Sequence, residues 1–311
     1  MTATSGRAAR PLDWRHAIYP YALLILANFF WASNWIVGRG IHEAFPPVAL
    51  SFYRWLVAGL ILAPIALPRL RGKWHLVREH WRLFLFLGGT GVATFQAIIY
   101  VGLNYTTAVN ATILNAATPL LMVLTVWGME GTAATRRQWF GMIVTVLGVV
   151  LIVSRGDWRN LATLHFNTGD IIILVTLPIW CFYSILLKRR PMAIDNVGFT
   201  FVLTLIGLST LSPFFAFEEI FVRTPVWSGG MVAAVIYVAL TASIAGYLFW
   251  NRGVELIGAN AAGFTYPFQP AFAALLAVIV LGEPFRLYNG LGFAVILVGW
   301  LLTTGLRAAP R

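Results

Sequence analysis

The sequence predicts an all-α integral membrane protein, with ten transmembrane helices arranged as two inverted five-helix repeats around a central cavity. Three observations support this fold class. The 311-residue chain is 59% hydrophobic and only 11% charged, whereas soluble domains contain about 25% charged residues. Its apolar residues fall in runs of about twenty, which is the length that crosses a bilayer. The two halves of the sequence also resemble each other.

The apolar runs give ten predicted spans, and few residues remain between them for an extramembrane domain. The segment before the first span, residues 1–18, is basic and polar, and we interpret it as a cytoplasmic tail. The first run is too long for the core of a cleaved signal peptide. The predicted spans cover residues 19–38, 47–67, 83–102, 106–128, 137–154, 169–187, 196–216, 230–250, 258–281 and 286–305.

The distribution of Lys and Arg predicts the orientation of the chain. Sixteen of these residues lie on the side that holds both chain ends, and five lie on the other side. Because basic residues concentrate in cytoplasmic loops, we expect both termini in the cytoplasm and the protein in the cytoplasmic (inner) membrane. The net charge of +11 does not predict nucleic-acid binding, because no basic helix or stacking platform accompanies it.

The internal repeat is visible as two offsets between the halves. At an offset of 149 residues, Trp31 aligns with Trp180. A five-span unit begins and ends on opposite sides of the membrane, so its copy must enter from the other face. We therefore expect inverted repeats at residues 19–155 and 168–306, an architecture typical of secondary transporters. At an offset of 151 residues, the aligned pairs include Gly102–Gly253, Pro119–Pro270, Gly131–Gly282, Gly141–Gly292 and Gly148–Gly299.

Polar and aromatic side chains within the spans are the candidate cavity residues, because a polar group in hydrocarbon usually faces the bundle interior. Helical periodicity places Asn28, Trp31 and Asn34 on one face of the first span. Any one such residue is explained by helix–helix packing, but the set follows the repeat symmetry. The predicted substrate-binding residues are Asn28, Trp31, Asn34, Gln96, Tyr100, Asn115, Thr118, Trp180, Tyr183, Tyr247, Tyr266 and Gln269.

Prolines interrupt the fourth and ninth predicted spans at equivalent positions. Pro119 and Pro270 align in the repeat, and each directly follows one of the polar candidates. A proline inside a helix leaves a carbonyl without its partner, and within a membrane that carbonyl needs a donor, a water or a substrate. We interpret Pro119, Pro267 and Pro270 as helix breaks. Pro267 has no counterpart in the first half, and we expect it to bend the ninth span further.

Arg54 lies about a third of the way into the second predicted span. Placing Arg at the centre of a bilayer costs about 2.5–3.5 kcal/mol on insertion scales. The favoured interpretation is that its side chain snorkels to the outer headgroups. The alternative is that Arg54 binds a substrate carboxylate or holds an outer gate.

The sequence argues against several other functions. No acidic residue lies in the middle of a predicted span, where it would serve as an obvious proton carrier. The sequence contains no phosphate-binding loop, no His/Glu metal cluster and no Ser/His/Asp set placed for catalysis. The single cysteine, Cys181, cannot form an internal disulfide. We therefore expect no metal, no cofactor and no enzymatic activity.

Five stretches spread over nearly the whole chain carry a family resemblance, namely NFFWASNWIVGR, NAATPLLMVL, RRQWFGMIVTVLGVVLIV, NAAGFTYPFQPAFAALLAVIVLGEP and NGLGFAVILVGWLL. They are similar to EamA-type exporters of the drug/metabolite transporter superfamily. The length of the whole chain and the aromatic residues predicted for its cavity are similar to those of aromatic amino-acid exporters of the YddG type. The resemblance implies a cavity lined by spans 1, 3, 4, 6, 8 and 9, and efflux of small metabolites. In the first repeat, Glu130 and Gly131 stand in reversed order to the Gly-Glu of the second.

The main hypothesis is a secondary transporter that exports small neutral or zwitterionic metabolites, including aromatic amino acids, by alternating access. One alternative is a carrier of phosphorylated or nucleotide-type metabolites, which would need fixed positive charge in the cavity. An integral membrane enzyme and a channel are alternatives of another class. The expected partners are a small-molecule substrate and the lipid bilayer. The oligomeric state is left open, and a monomer is compatible with the sequence.

Overall fold

The computed structural model describes residues 14–102, 105–106, 114–157, 159, 167–281 and 286–304, and within these ranges the regular elements are helices. A single 3₁₀ turn, Leu187–Arg189, follows α7. The helices are α1 (Trp14–Ile41), α2 (Pro47–Leu70), α3 (Trp74–Glu79), α4 (Trp81–Gly102), α5 (Thr118–Glu130), α6 (Arg136–Val153), α7 (Thr168–Leu186), α8 (Asn196–Phe221), α9 (Gly229–Gly263), α10 (Phe268–Leu281) and α11 (Leu287–Thr304).

Within the described residues, eight helices are long and apolar enough to cross a bilayer, namely α1, α2, α4, α6, α7, α8, α9 and α11. Helices α5 and α10 are apolar but contain only 13 and 14 residues. Both fall inside predicted spans, so the count of ten spans stays a prediction. Helix α1 begins at Trp14, inside the segment interpreted as a cytoplasmic tail, and residues 1–13 lie outside the described part of the chain.

The ninth predicted span, residues 258–281, is not one continuous helix in the structure. Gly258 has φ +84°, which kinks α9, and a turn at residues 264–267 separates α9 from α10. Pro267 ends this turn and Pro270 lies in the first turn of α10, where a missing N–H costs no intrahelical hydrogen bond. Pro267 therefore lies in the interruption between α9 and α10, and the further bend expected there stays a prediction.

The fourth predicted span shows the same interruption. Residues 116–117 form a turn, and α5 begins directly after it, with Pro119 at its second position. Residues 107–113 of this span lie outside the described residues. The carbonyl of Tyr266, which we expected to be free, accepts a hydrogen bond from the N–H of Gln269 at 3.0 Å. The two prolines thus mark the beginnings of α5 and α10 at equivalent points of the repeat.

The outward faces of the helices are apolar, and the polar side chains of the spans are turned inward. Asn28, Asn34, Thr118 and Ser184 are fully buried. This distribution is the reverse of a water-soluble fold and is the one expected for a protein solvated by lipid tails. Large apolar side chains exposed on the outside include Leu60, Phe140, Leu147, Phe214, Ile220 and Ile279.

The packing of the helices follows the repeat. Helix α1 packs against α9 and α10, and its equivalent α7 packs against α4 and α5. Two further pairs join a helix to its own equivalent, namely α2 with α8 and α6 with α11. Exchanging the two halves therefore leaves the pattern of neighbours unchanged. The cores of the two repeats are joined into one body through α1 and α7.

The α6–α11 pair shows the direction of the symmetry axis. A Cβ atom on Gly141 would lie 2.7 Å from the carbonyl oxygen of Gly299, and one on Gly148 would lie 2.8 Å from that of Gly292. These contacts make the two helices antiparallel, and the offset of 151 residues exchanges one contact for the other. Equivalent helices that run antiparallel require a two-fold axis perpendicular to them. This is the packing that an inverted repeat produces.

The close crossing predicts that Gly148→Ala will destabilise the protein. The added methyl group would meet backbone atoms, which cannot rotate away, and overpacking of this kind costs about 1–3 kcal/mol. Thermal unfolding of the purified protein in detergent measures the effect. Gly128→Ala in α5 is the matched control, because nothing lies within 4 Å of its new Cβ. Equal melting temperatures for the two variants would contradict the crossing.

Candidate functional site

A small cavity lies between the repeats, where α1, α4, α7 and α9 meet the beginnings of α5 and α10. Seven of its lining residues were predicted from the sequence. The sequence analysis missed Trp35, Phe95 and Ile99, because an apolar residue facing a cavity has the same pattern as one facing lipid or core. The lining residues are Trp31, Trp35, Phe95, Gln96, Ile99, Asn115, Trp180, Tyr247, Tyr266 and Gln269.

The free volume inside the cavity is very small. The volume open to the centre of a water molecule is about 10 Å³, which is about enough for one water. Pockets that hold small organic ligands measure about 300–1,000 Å³. The predicted central cavity is therefore present in position but contracted, and a substrate can enter only after helices separate.

Aromatic rings form the walls of this contracted cavity. Trp31 and Trp180, which are equivalent in the repeat, meet edge to face with ring centroids 5.1 Å apart. Tyr266 meets Trp250 edge to face at 5.6 Å, and Phe95 lies against Trp180 at 4.8 Å. Such arrangements are favoured by the ring quadrupoles, so these ring contacts stabilise the contracted state.

Two π-helical segments bring backbone carbonyls to the cavity walls. Residues Leu87–Thr94 of α4 and Ala239–Ala245 of α9 are π-helical and occupy equivalent positions. The carbonyl of Ala242 accepts a hydrogen bond from the indole Nε1 of Trp31 at 3.1 Å. The carbonyl of Gly91, 151 residues earlier, accepts one from the hydroxyl of Tyr247. Such π turns are common at functional sites, since they interrupt the regular α-helical ladder.

Three polar atoms of the cavity lining have no hydrogen-bond partner among the described residues. They are the Nε1 of Trp180, the Nε2 of Gln96 and the Oε1 of Gln269. Trp180 is the equivalent of Trp31, but Tyr247 already occupies the carbonyl that symmetry would assign to it. A buried polar atom without a partner costs about 1–3 kcal/mol. The cavity thus presents unpaired donors and an acceptor to whatever enters it.

Asn34, Arg54 and Tyr100 form a cluster that we call the first latch. The hydroxyl of Tyr100 donates to Oδ1 of Asn34 at 2.7 Å and joins α4 to α1. A guanidinium nitrogen of Arg54, from α2, approaches the same Oδ1 at 3.5 Å and the Tyr100 oxygen at 3.4 Å. The first latch therefore closes three helices of the first repeat beside the cavity.

The burial of Arg54 overturns the favoured interpretation of its role. Its side chain is only 1% exposed and points inward, with the guanidinium carbon 5.2 Å from the ring centroid of Trp55 and 6.0 Å from that of Tyr100. Snorkelling would require an extended side chain at the protein surface, which the neighbouring helices exclude. Of the two interpretations, an inward role near the cavity remains.

An equivalent cluster, the second latch, consists of Tyr183, Thr200 and Asn251. The hydroxyl of Tyr183 donates to Oδ1 of Asn251 at 3.1 Å, and Nδ2 of Asn251 donates to Oγ1 of Thr200 at 3.3 Å. The repeat offsets align Tyr183 with Asn34 and Asn251 with Tyr100. Each latch therefore contains one Tyr–Asn hydrogen bond, with the two residue types exchanged between the helices.

The two latches lie on opposite sides of the cavity. Helices α2 and α8 pack antiparallel, because the N–H of Ala49 donates to Glu218 at one end and Arg69 pairs with Asp195 at the other. Arg54 lies near the beginning of α2, and Thr200 lies near the beginning of α8. The first latch therefore lies at the end of the pair where α2 begins, and the second latch lies at the end where α8 begins.

The remaining predicted residues support the site without lining it. Asn28 donates to the carbonyl of Leu24 at 2.7 Å and to Oγ1 of Thr265 at 3.1 Å, and so holds α1 against the turn before α10. Thr118 donates to Oδ1 of Asn115 at 3.2 Å. These side chains position the broken helices, since their hydrogen bonds stabilise the turns from which α5 and α10 begin.

The end of α8 is joined to the beginning of α2 by hydrogen bonds between Glu218 and the backbone of Val48 and Ala49, and we call this contact the seal. It lies nearer the end of the molecule than the first latch. The carboxylate of Glu218, at the end of α8, accepts hydrogen bonds from the N–H groups of Val48 and Ala49 at 3.2 and 2.7 Å. These groups belong to the first turn of α2, where they have no intrahelical partner. A negative charge at this helix end is stabilising, so Glu218 binds the two repeats together at this end.

We expect Glu218→Gln to loosen this seal. The amide offers a single neutral oxygen in place of two charged ones, and a loss of about 1 kcal/mol would raise the open population about fivefold. A cysteine at Val37, in a Cys181→Ala background, reports opening through its labelling rate with a hydrophilic maleimide. Glu219→Gln is the matched control, since the N–H groups of Val48 and Ala49 donate to Glu218 and not to its neighbour Glu219. Equal labelling rates in both variants would refute a role for Glu218.

Comparison with known proteins gives a consistent result. The model of the EamA-like transporter family matches the chain twice, at residues 18–154 and 167–305. The uncharacterized transporter YyaM of Bacillus subtilis (strain 168) is 24% identical over 94% of this chain and 95% of its own length. An uncharacterized transporter of Archaeoglobus fulgidus is 28% identical over 91% of this chain and 96% of its own.

A solved crystal structure has the same fold, with a TM-score of 0.73 at 19% sequence identity, over 92% of this chain and 97% of that one. The duplication expected from the sequence is present, since two copies of the family unit account for most of the chain. Together with the apolar helices and the polar interior, these matches show that the chain belongs to the EamA-like transporter family of the drug/metabolite transporter superfamily and is a multi-pass membrane transporter.

Proposed function

We propose that this transporter exports small zwitterionic metabolites, namely amino acids including aromatic ones, across the cytoplasmic membrane. The observation that carries the proposal is the chemistry of the cavity lining, which combines aromatic walls with unpaired neutral donors and an acceptor. None of the lining residues bears a formal charge. A cavity of this kind suits a substrate whose own charges sum to zero.

The lining groups match the parts of an amino acid. The Oε1 of Gln269 is an acceptor for an ammonium group, and the unpaired N–H groups of Trp180 and Gln96 are donors for an oxygen. The rings of Trp31 and Trp180 offer edges and faces against which an aromatic side chain packs. Apolar pockets discriminate weakly between similar side chains, so we expect transport of several related amino acids.

Alternating access supplies the mechanism. Both latches are closed in this structure and the cavity is contracted, which corresponds to an occluded state. Opening to one side requires the Asn34–Tyr100 bond to break, and opening to the other requires the Tyr183–Asn251 bond to break. A neutral hydrogen bond is worth about 0.5–1.5 kcal/mol, which is small enough for each latch to open in turn as the repeats rock against each other.

The orientation and assembly follow from the charge distribution and the position of the cavity. With ten spans and both termini in the cytoplasm, the first latch and the Glu218 seal face outward and the second latch faces the cytoplasm. The cavity lies within one chain, so no second subunit is needed to complete it and a monomer suffices. No residue of the lining calls for a metal or a cofactor.

A carrier of phosphorylated or nucleotide-type metabolites is the second candidate, and the buried charge of Arg54 is the observation that favours it. Phosphate esters bear up to two negative charges and are usually bound by several cations. The described lining residues include no Lys or Arg, and a single arginine at the cavity edge matches one carboxylate better. Exchange of a sugar phosphate in liposomes, with no exchange of amino acids, would reverse this ranking.

Counterflow in liposomes tests the main proposal. Purified protein should exchange radiolabelled phenylalanine or tryptophan against an unlabelled internal pool, and Trp180→Ala should lower this exchange about tenfold at subsaturating substrate, because the substrate loses one aromatic wall. Trp139→Ala is the matched control, since Trp139 is 37% exposed on α6. The absence of counterflow for every amino acid would contradict the proposed substrate class.

Cysteine labelling tests the orientation. Two variants in a Cys181→Ala background each carry one new cysteine, Glu43→Cys or His75→Cys. Glu43 lies in the exposed connection between α1 and α2, and His75 lies in α3. We expect a membrane-impermeant maleimide to label the cysteine at 43, and not the one at 75, in intact cells, because the basic loop containing residue 75 is predicted to be cytoplasmic. The reverse pattern would place both termini outside.

A further inference from the structure

Arg54 gives the first latch a positive charge. This charge is not needed to close a latch, as the second latch shows. The second latch joins the equivalent helices through a hydroxyl, an amide and Thr200, all neutral. The residue equivalent to Arg54 in the second repeat is Leu203, which is fully buried. Since a latch of the same geometry closes with a leucine at this position, the arginine has a further role.

The charge of Arg54 is poorly compensated in the structure. Among the described residues, no acidic side chain lies within ion-pair distance of its guanidinium. Its two hydrogen bonds, at 3.5 and 3.4 Å, are long for a charged donor, since such bonds are usually about 2.7–2.9 Å. A buried cation without a partner is strongly destabilised, so a site of this kind calls for an anion.

Buried donors without partners occur in the guanidinium itself and in two side chains that contact it. Nε of Arg54, Nδ2 of Asn34 and Nε1 of Trp55 are buried and have no acceptor among the described residues. Arg54 and Trp55 are adjacent in α2, and Asn34 faces them from α1. Oxygen atoms of a ligand are acceptors for donors of this kind, whereas a cation or an apolar group is not.

The first latch also adjoins the cavity. Asn34 lies one helical turn from Trp31 along α1, and Tyr100 lies one turn from Gln96 along α4, and both of these neighbours line the cavity. A small molecule held between the aromatic walls would therefore have one end beside the first latch. This position is the one expected for the charged end of a zwitterion.

We propose that Arg54, together with Asn34 and Trp55, forms the subsite that binds the carboxylate of the transported substrate. The proposal rests on the proposed function and extends it. A guanidinium binds a carboxylate through two parallel hydrogen bonds. The carboxylate replaces Asn34 Oδ1 as the acceptor for Arg54, which weakens the first latch. Arrival of the substrate carboxylate therefore favours opening on the side of the first latch.

Benzoate tests the subsite without requiring transport. It should raise the melting temperature of the purified full-length protein, whereas benzamide, which has the same shape but no charge, should not. Arg54→Gln should abolish the benzoate response. Arg69→Gln, which removes an arginine from the exposed end of α2, should keep it. An equal response to benzoate and benzamide, or a response that survives Arg54→Gln, would overturn the subsite.

Asn34→Asp is a second variant that tests the subsite even if Arg54→Gln fails to fold. This variant places a carboxylate beside the guanidinium, and we expect a higher melting temperature in the absence of ligand together with loss of the benzoate response. A benzoate response that remained in this variant would count against the subsite. An equal Arg54-dependent response to inorganic phosphate would assign the site to small anions in general and would overturn the substrate assignment.

Counterflow then links the subsite to the substrate. The wild-type protein should exchange phenylalanine at least about tenfold faster than 2-phenylethylamine, which lacks the carboxylate, and Arg54→Gln should remove this preference. Equal loss of both exchanges would indicate a purely structural arginine and would overturn the inference. If neither compound is exchanged by the wild type, the proposed function fails, while the benzoate response still decides whether the anion subsite exists.

Discussion

The constraint on which this structure depends is the absence of water from the hydrocarbon region, which forces every polar group of the spans to find a partner inside the protein. Asn28, Asn34 and Asn251 meet part of this constraint with hydrogen bonds that join separate segments of the chain. The π segments of α4 and α9 meet it with indole and phenol donors from facing helices. Several buried polar atoms do not meet it among the described residues. Those of Trp180, Gln96, Gln269 and Arg54 lie in or beside the cavity, whereas the indole nitrogen of Trp300 lies elsewhere, on α11.

Because the architecture is duplicated, buried polar side chains form a latch at each end of the molecule. The exchange of Asn34 and Tyr100 for Tyr183 and Asn251 keeps one Tyr–Asn hydrogen bond in each latch. The charge of Arg54 is a feature of the first latch that the second does not repeat, since Leu203 stands at the equivalent position. In the proposed mechanism, the substrate acts on the first latch through this charge.

The repeat singled out candidates that the structure divides between two places. Those that line the cavity include Trp31, Trp180, Asn115, Tyr266 and Gln269. Asn34, Thr118 and Tyr183 also have counterparts in the repeat but do not line it. Arg54 had no counterpart, and its assignment to the lipid headgroups was wrong, because the depth of a residue within a span does not show which side of the helix it occupies. Trp35, Phe95 and Ile99 were missed, since apolar cavity residues have no distinguishing pattern.

The sequence by itself determined the membrane environment, the duplication and the set of polar candidates, because hydropathy, residue spacing and repeat offsets depend only on the order of residues. The tertiary structure decided how these candidates are divided between cavity and latches, because that division depends on how far each helix is rotated about its axis. It also decided that Pro119, Pro267 and Pro270 stand at the beginnings of helices rather than inside them, because whether a helix is interrupted depends on the packing of its neighbours.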